Sequence, residues 1–127
     1  EQKPHKGCFL PDTQLRARSI RGYLDRHAFQ AISVDELAGL FHVSARQLNR
    51  ILKKETGQSV METVHRIRIE RAKKLLRETD ETIISVATSV GYESPSFFNP
   101  LFMRNVGCTP GNYRLGNYVF HDIREKV

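Results

Sequence analysis

Ser33-Val34-Asp35-Glu36-Leu37-Ala38-Gly39-Leu40-Phe41-His42-Val43-Ser44 is followed by Leu48, Ile51, Leu52 and Gly57. The same order returns in Thr82-Ile83-Ile84-Ser85-Val86-Ala87-Thr88-Ser89-Val90-Gly91-Tyr92-Glu93-Ser94, followed by Phe98, Leu101, Phe102 and Gly107. Ala38 pairs with Ala87 at an offset of 49; Ser44, Leu48, Ile51, Leu52 and Gly57 pair with Ser94, Phe98, Leu101, Phe102 and Gly107 at an offset of 50. The slip of one residue falls at the turn, where loops absorb insertions. Each copy reads as a short helix, a tight turn and a second capped helix, which is a helix-turn-helix unit. Ser33, with Glu36 three residues on, offers a capping box. Ser44 caps the second helix, which is expected to run to about Glu55 and stop before Gly57. His42 takes the turn position that Gly91 holds in the second copy. A turn there calls for positive φ, which Gly adopts freely and His tolerates better than most residues.

Outside the repeat, the signals remain helical. Asp12 is expected to cap a helix to about His27, with Leu15, Ile20 and Leu24 near its buried side. Ser59 caps a long helix to about Arg77 whose apolar side is supplied by Val60, Val64, Ile67, Ala72, Leu75 and Leu76. Some twenty residues at about 1.5 Å each make a rod of about 30 Å, close to one turn of B-DNA. A rod of that length suits two recognition helices in successive major grooves without a dimer. Ser94-Pro95 is an N-cap followed by Pro at N1, and Thr109-Pro110 opens a last short helix to about Leu115. Tyr118, Phe120 and Ile123 are candidates to dock on the body. No strand alternation stands out, so the class is all-α: two helix-turn-helix subdomains joined by a long linker helix. The expected division is a linker or tail at 1–11, a first subdomain at 12–57, the linker helix at 58–79, a second subdomain at 80–116 and a tail at 117–127.

Of the 127 residues, 39% are hydrophobic and 27% charged, ordinary values for a soluble globular chain. No apolar run is long enough to span a membrane, and no signal-peptide pattern is present. Cys8 and Cys108 are the two cysteines; they imply no disulfide framework, and a reducing cytoplasm fits best. The polar start without an initiator Met reads as a piece cut from a longer protein. The net charge of +6 is concentrated: residues 44–78 hold ten Lys/Arg against four acids, and the rest of the chain holds ten of each. A basic stripe on a helix-turn-helix chain points to nucleic-acid phosphates.

These residues resemble the AraC/XylS family of transcription regulators. The resemblance runs over about residues 15 to 115. Leu37-Ala38, Val43-Ser44, Leu48-Asn49-Arg50-Ile51-Leu52-Lys53, Glu55-Thr56-Gly57 and Arg66-Ile67-Arg68-Ile69-Glu70-Arg71-Ala72-Lys73-Lys74-Leu75-Leu76 carry it in the first half. Val86-Ala87, Val90-Gly91-Tyr92, Ser96-Phe97-Phe98-Asn99 and Gly107-Cys108-Thr109-Pro110-Gly111-Asn112-Tyr113-Arg114 carry it in the second. The resemblance implies a DNA-binding domain of about seven helices at the C-terminus of a larger bacterial regulator. It also implies a ligand-sensing or dimerising N-terminal domain, activation through RNA polymerase, and a place in the nucleoid. The fragment itself is expected to be monomeric.

On the residues themselves, double-stranded DNA is the expected partner. Carried over residue by residue, the resemblance implies base reading by Arg46, Asn49 and Arg50, the outward positions of the first recognition helix, suited to guanine N7/O6 or adenine N6/N7. Ser96 and Asn99 are their matches in the second. Ser44, Gln47, Lys53, Lys54, Arg66, Arg68, Ser94 and Arg104 are the phosphate candidates. The family's pattern usually has Arg where Pro100 stands. Pro100 removes a backbone donor and is expected to kink its helix. Residues 82–115 hold Arg104 and Arg114 against Glu93, so the first unit is expected to dominate sequence reading. The second unit should be a faint or A·T-biased reader.

Phe98 matches Leu48 and is expected in the core; Phe97 is expected to pack in part on a neighbouring helix, with thymine methyls as the alternative contact. Cys108 reads as core filler and His65 as a surface histidine. His5 and Cys8 have no second ligand pair nearby, so neither metal nor cofactor is expected. No nucleophile elbow or phosphate loop appears, and catalysis is not supported. The other functional class is a DNA-tethering or interaction module of a larger enzyme, such as a DNA-repair protein.

Overall fold

The computed structural model describes residues 12–116. The expectations for His5, Cys8, Tyr118, Phe120 and Ile123 lie outside them. The described residues form seven helices and no strand: α1 (Asp12–His27), α2 (Val34–Leu40), α3 (Ala45–Thr56), α4 (Val60–Glu78), α5 (Ile83–Ser89), α6 (Pro95–Val106) and α7 (Pro110–Arg114). They fall into two compact units, residues 12–27 with 32–64, and residues 28–31 with 65–116.

In the first unit α3 packs on α1 and α2. Leu48 and Leu52, one turn apart on α3, are fully buried, as are Ile20 and Leu24 of α1. Ile51 is only half-buried. The helix ends are set by local chemistry. Glu36 N–H donates to Ser33 Oγ at 3.2 Å. A complete capping box opens α3: Gln47 N–H donates to Ser44 Oγ at 3.1 Å, and Ser44 N–H to Gln47 Oε1 at 3.4 Å. A second box opens α4, with Glu62 N–H on Ser59 Oγ and Ser59 N–H on Glu62 Oε1 at 2.8 Å. That backbone bond holds the Glu62 carboxyl below the usual carboxylate range. Asp12 is itself helical, so it is not the cap of α1; a cap residue has non-helical backbone.

The second unit has an aromatic core. Tyr92, Phe98, Phe102 and Tyr113 follow one another with ring centroids 5.6 to 5.7 Å apart, a favourable spacing for tilted pairs. Val86, Ala87, Val90 and Leu101 pack in the same cluster with Ile69, Ala72 and Leu76 of α4. Cys108 is buried there, and burial raises its thiol pKa. Arg114 ties α7 to the end of α4, donating from Nε to Leu76 O and from Nη2 to Thr79 O, both at 3.1 Å. Thr82 and Thr109 cap α5 and α7 through their hydroxyls.

One helix start and the buried stripe of α4 differ from expectation. Ser94 makes no side-chain bond to the first amides of α6. Pro95 at N1 has no amide to satisfy and presets φ, so the helix starts without that bond. Pro100 lies within a helix that continues unbroken from Pro95 to Val106. On α4 the buried stripe is Val60, Val64, Arg68, Ala72 and Leu76, with Ile69 beside it; Ile67 and Leu75 are half-buried. The stripe repeats every fourth residue, the spacing that keeps side chains on one helical face.

Candidate nucleic-acid interface

The turns place the second helix of each unit. His42 has φ 60° and is the one non-glycine residue with positive φ among those described; Gly91 has φ 113°. Both turn expectations therefore hold. Gly57 and Gly107 close α3 and α6 in the left-handed region, at φ 84° and 99°.

On α3, Arg46, Gln47, Arg50, Lys53 and Lys54 are exposed opposite the buried Leu48 and Leu52. Arg46, Arg50 and Lys53 lie at i, i+4 and i+7, on one helical face. Asn49, Arg50, Lys53, Lys54 and Ser59 line a shallow open groove. Ser44 is exposed at the helix start; its oxygen is used by the cap, and its hydroxyl proton remains able to donate. Arg66 on α4 and Ser96, Asn99 and Arg104 on α6 are exposed, and Ser94 is half-buried.

Two expected contacts are redirected. Asn49 is half-buried, and its Oδ1 accepts from Val60 N–H at 2.9 Å. A bidentate bond to adenine needs that oxygen as well as the amide nitrogen. Asn49 instead satisfies an amide at the start of α4. Arg68 is turned inward, where a phosphate ligand would face out. It is 5% exposed, donating from Nε to Ala28 O at 2.6 Å and from Nη2 to Gln30 O at 2.7 Å. Its guanidinium lies 4.9 Å from the Tyr92 ring centroid, a cation–π distance. The fourfold register of Val60, Val64, Ala72 and Leu76 already marks Arg68 as inward, a signal that the density of basic residues obscures.

His65 is likewise not a plain surface residue. It is half-buried, and its Nδ1 lies 2.6 Å from the Tyr92 hydroxyl. Burial, and then the charges of Arg68 and Arg104, lower its pKa from the ordinary imidazole value. The neutral ring is thus preferred in the folded chain, while the unfolded chain takes up a proton near about pH 6.5. This contribution to stability is full above that pH and is lost as the pH falls towards the folded pKa. In thermal melts from about pH 7.5 to about pH 5, Tm is expected to fall, and His65→Gln to flatten the slope. An unchanged slope in the variant would remove His65 as its source.

Phe98 is fully buried, whereas Phe97 is 54% exposed, with its ring centroid 5.9 Å from His65 and 5.6 Å from Tyr92. Among the described residues no group of three His, Cys, Asp or Glu is arranged to hold a metal, and no helix is long and apolar enough to cross a membrane.

The helix-turn-helix domain family matches residues 37–116. The chain is 32% identical over 105 residues to the HTH-type transcriptional activator RhaS of Escherichia fergusonii, an alignment covering 83% of this chain and 38% of RhaS. It is 30% identical over 105 residues to the bifunctional transcriptional activator/DNA repair enzyme AdaA of Bacillus subtilis, covering 83% of this chain and 49% of AdaA. The chain thus spans less than half the length of either relative. Its fold is similar to the DNA-binding domain of the global transcriptional factor AdpA, solved in complex with a target DNA. That match has a TM-score of 0.74 and 25% identity, covering 80% of this chain and 91% of that one.

Proposed function

Because the chain belongs to the AraC/XylS family of helix-turn-helix proteins, we propose that it is the DNA-binding part of a bacterial transcription regulator that reads sequence chiefly through α3. The observation that carries this reading is the face of α3. Arg46, Arg50 and Lys53 are all exposed there, on a helix capped at both ends and backed by two fully buried leucines. Arginine on such a face offers paired donors to guanine O6 and N7. Arg46 and Arg50 are the principal base readers, and Ser96 and Asn99 are their counterparts on α6. Ser44, Gln47, Lys53, Lys54, Arg66, Ser94 and Arg104 contact phosphates. Residues 12–57 and 80–116 act as the two reading subdomains, joined through 58–79, with their recognition helices in successive major grooves.

Arg50→Ala tests the assignment. Binding to the preferred site is expected to weaken by about 1–3 kcal/mol, with relaxed preference at one base pair. Equal losses on the preferred site and on random DNA would assign Arg50 to phosphate instead.

The intact protein activates transcription by touching RNA polymerase, acts at the nucleoid, and dimerises through a further domain. The support is the family together with the name of RhaS, an activator. A second reading is favoured by AdaA, whose name joins an activator to a DNA repair enzyme: the same unit then tethers a repair activity to DNA. The full-length sequence of the intact protein separates the two, by holding a sensing domain or a catalytic one.

A further inference from the structure

The matched positions of the two recognition helices differ in kind. Where α3 carries Gln47, Arg50 and Lys53, α6 carries Phe97, Pro100 and Met103. All three α6 residues are exposed, Phe97 at 54% and Met103 at 48%. They stand three residues apart, so they share one side of the helix, away from the buried Phe98, Leu101 and Phe102. Phe97 is not a loose side chain, because its ring is braced by His65 and Tyr92. A ring held in place in the free protein loses little freedom on binding.

We propose that this apolar side of α6 reads thymine 5-methyl groups in the major groove, through Phe97, Pro100 and Met103. The inference rests on the DNA-binding reading above and assigns the second recognition helix its own chemistry. The occupant follows from the repeat: Pro100 is equivalent to the base-reading Arg50, and Phe97 and Met103 to Gln47 and Lys53, its neighbours on the outward side of α3. The thymine methyl is the one apolar feature among the four bases on the major-groove edge. None of the three side chains can donate a hydrogen bond, so a guanine beneath them would have O6 and N7 desolvated without partners. Asn99, exposed beside them, retains both amide groups for adenine, and Arg104 in the last turn of α6 is exposed to meet a phosphate.

The test uses the whole 127-residue chain. A preferred site is first selected from random DNA. Each thymine of its second block is then replaced by deoxyuridine, which removes the methyl and leaves every hydrogen-bonding group in place. Affinity is expected to fall about three- to fivefold per contacted methyl, the worth of one buried carbon. Uracil in the first block should have a smaller effect. 5-Methylcytosine in place of a cytosine of the second block should recover part of the affinity. Phe97→Ala, with its helical content checked by circular dichroism, should bind thymine and uracil sites nearly alike. Equal affinity for the two sites with the unaltered chain overturns the proposal while the DNA-binding reading stands, and it would mark the apolar side as a protein-docking surface. A selected motif with no second block overturns it in the same way. Failure to select any site overturns both readings.

Discussion

Replacing Gly91 with alanine is expected to destabilise the second unit by about 3–5 kcal/mol, through two costs that act together. The first is backbone strain. Gly91 has φ 113°, beyond the left-handed region near φ of about 60° that other residues visit. A side chain held at such an angle costs about 1–3 kcal/mol. The second cost is a collision. A Cβ on Gly91 would stand 2.8 Å from both Cζ and Nε of Arg68 and 3.0 Å from its Nη2. A flexible arginine would usually move aside. This one is held by carbonyl bonds of 2.6 and 2.7 Å and is 5% exposed, so moving it aside costs about one charge-assisted hydrogen bond, worth about 1.5–3 kcal/mol. Urea unfolding would report the loss as a lower midpoint. The double variant Gly91→Ala/Arg68→Met should lose less than the sum of the single changes, because the collision is with the guanidinium. Strict additivity would show that the contact contributes nothing. The equivalent turn supplies the contrast. His42 has φ 60°, inside the permitted region, so His42→Gly should change stability little.

Salt is expected to produce the other large effect. Arg46, Arg50, Lys53 and Lys54 on α3, and Arg66, Arg71 and Lys74 on α4, are exposed. If about six phosphates are neutralised, log K should fall against log salt with a slope of about −5. Raising salt from about 50 to about 200 mM then weakens binding on the order of a thousandfold. Lys53→Ala and Lys54→Ala should each make the slope shallower by about 1 and weaken all sequences alike. A flat response to salt would exclude phosphate contacts as the source of affinity. Arg68→Met should leave the slope unchanged, since its charge is buried and bonded to carbonyls; a shallower slope would return Arg68 to the phosphate contacts.

The elements of this chain are legible because their signals are local. Hydroxyl caps, the Ser59/Glu62 and Ser44/Gln47 spacings, and glycines at the stops act within a few residues of themselves, and α3, α4, α6 and α7 begin and end within a residue or two of where those signals lie. The offset repeat is local twice over, and with it came the all-α class and the pairing of His42 with Gly91. The side of α3 that faces outward followed from Leu48, Ile51 and Leu52, of which Ile51 is only half-buried.

What a polar side chain bonds to once the chain has folded was decided elsewhere. Asn49 meets Val60 N–H eleven residues on, and Arg68 meets the carbonyls of Ala28 and Gln30 some forty residues back. His65 meets Tyr92 across 27 residues. Composition counts Arg68 with the phosphate-seeking charges because a guanidinium has the same donors wherever it sits. Only the tertiary structure brings two backbone carbonyls to it, one buried and one partly buried, where an unpaired oxygen would be costly. The sequence alone thus determined where the helices run and which sides are apolar; packing determined which charges remained free to meet DNA, because a buried polar group must take its partners from whatever the fold brings within reach.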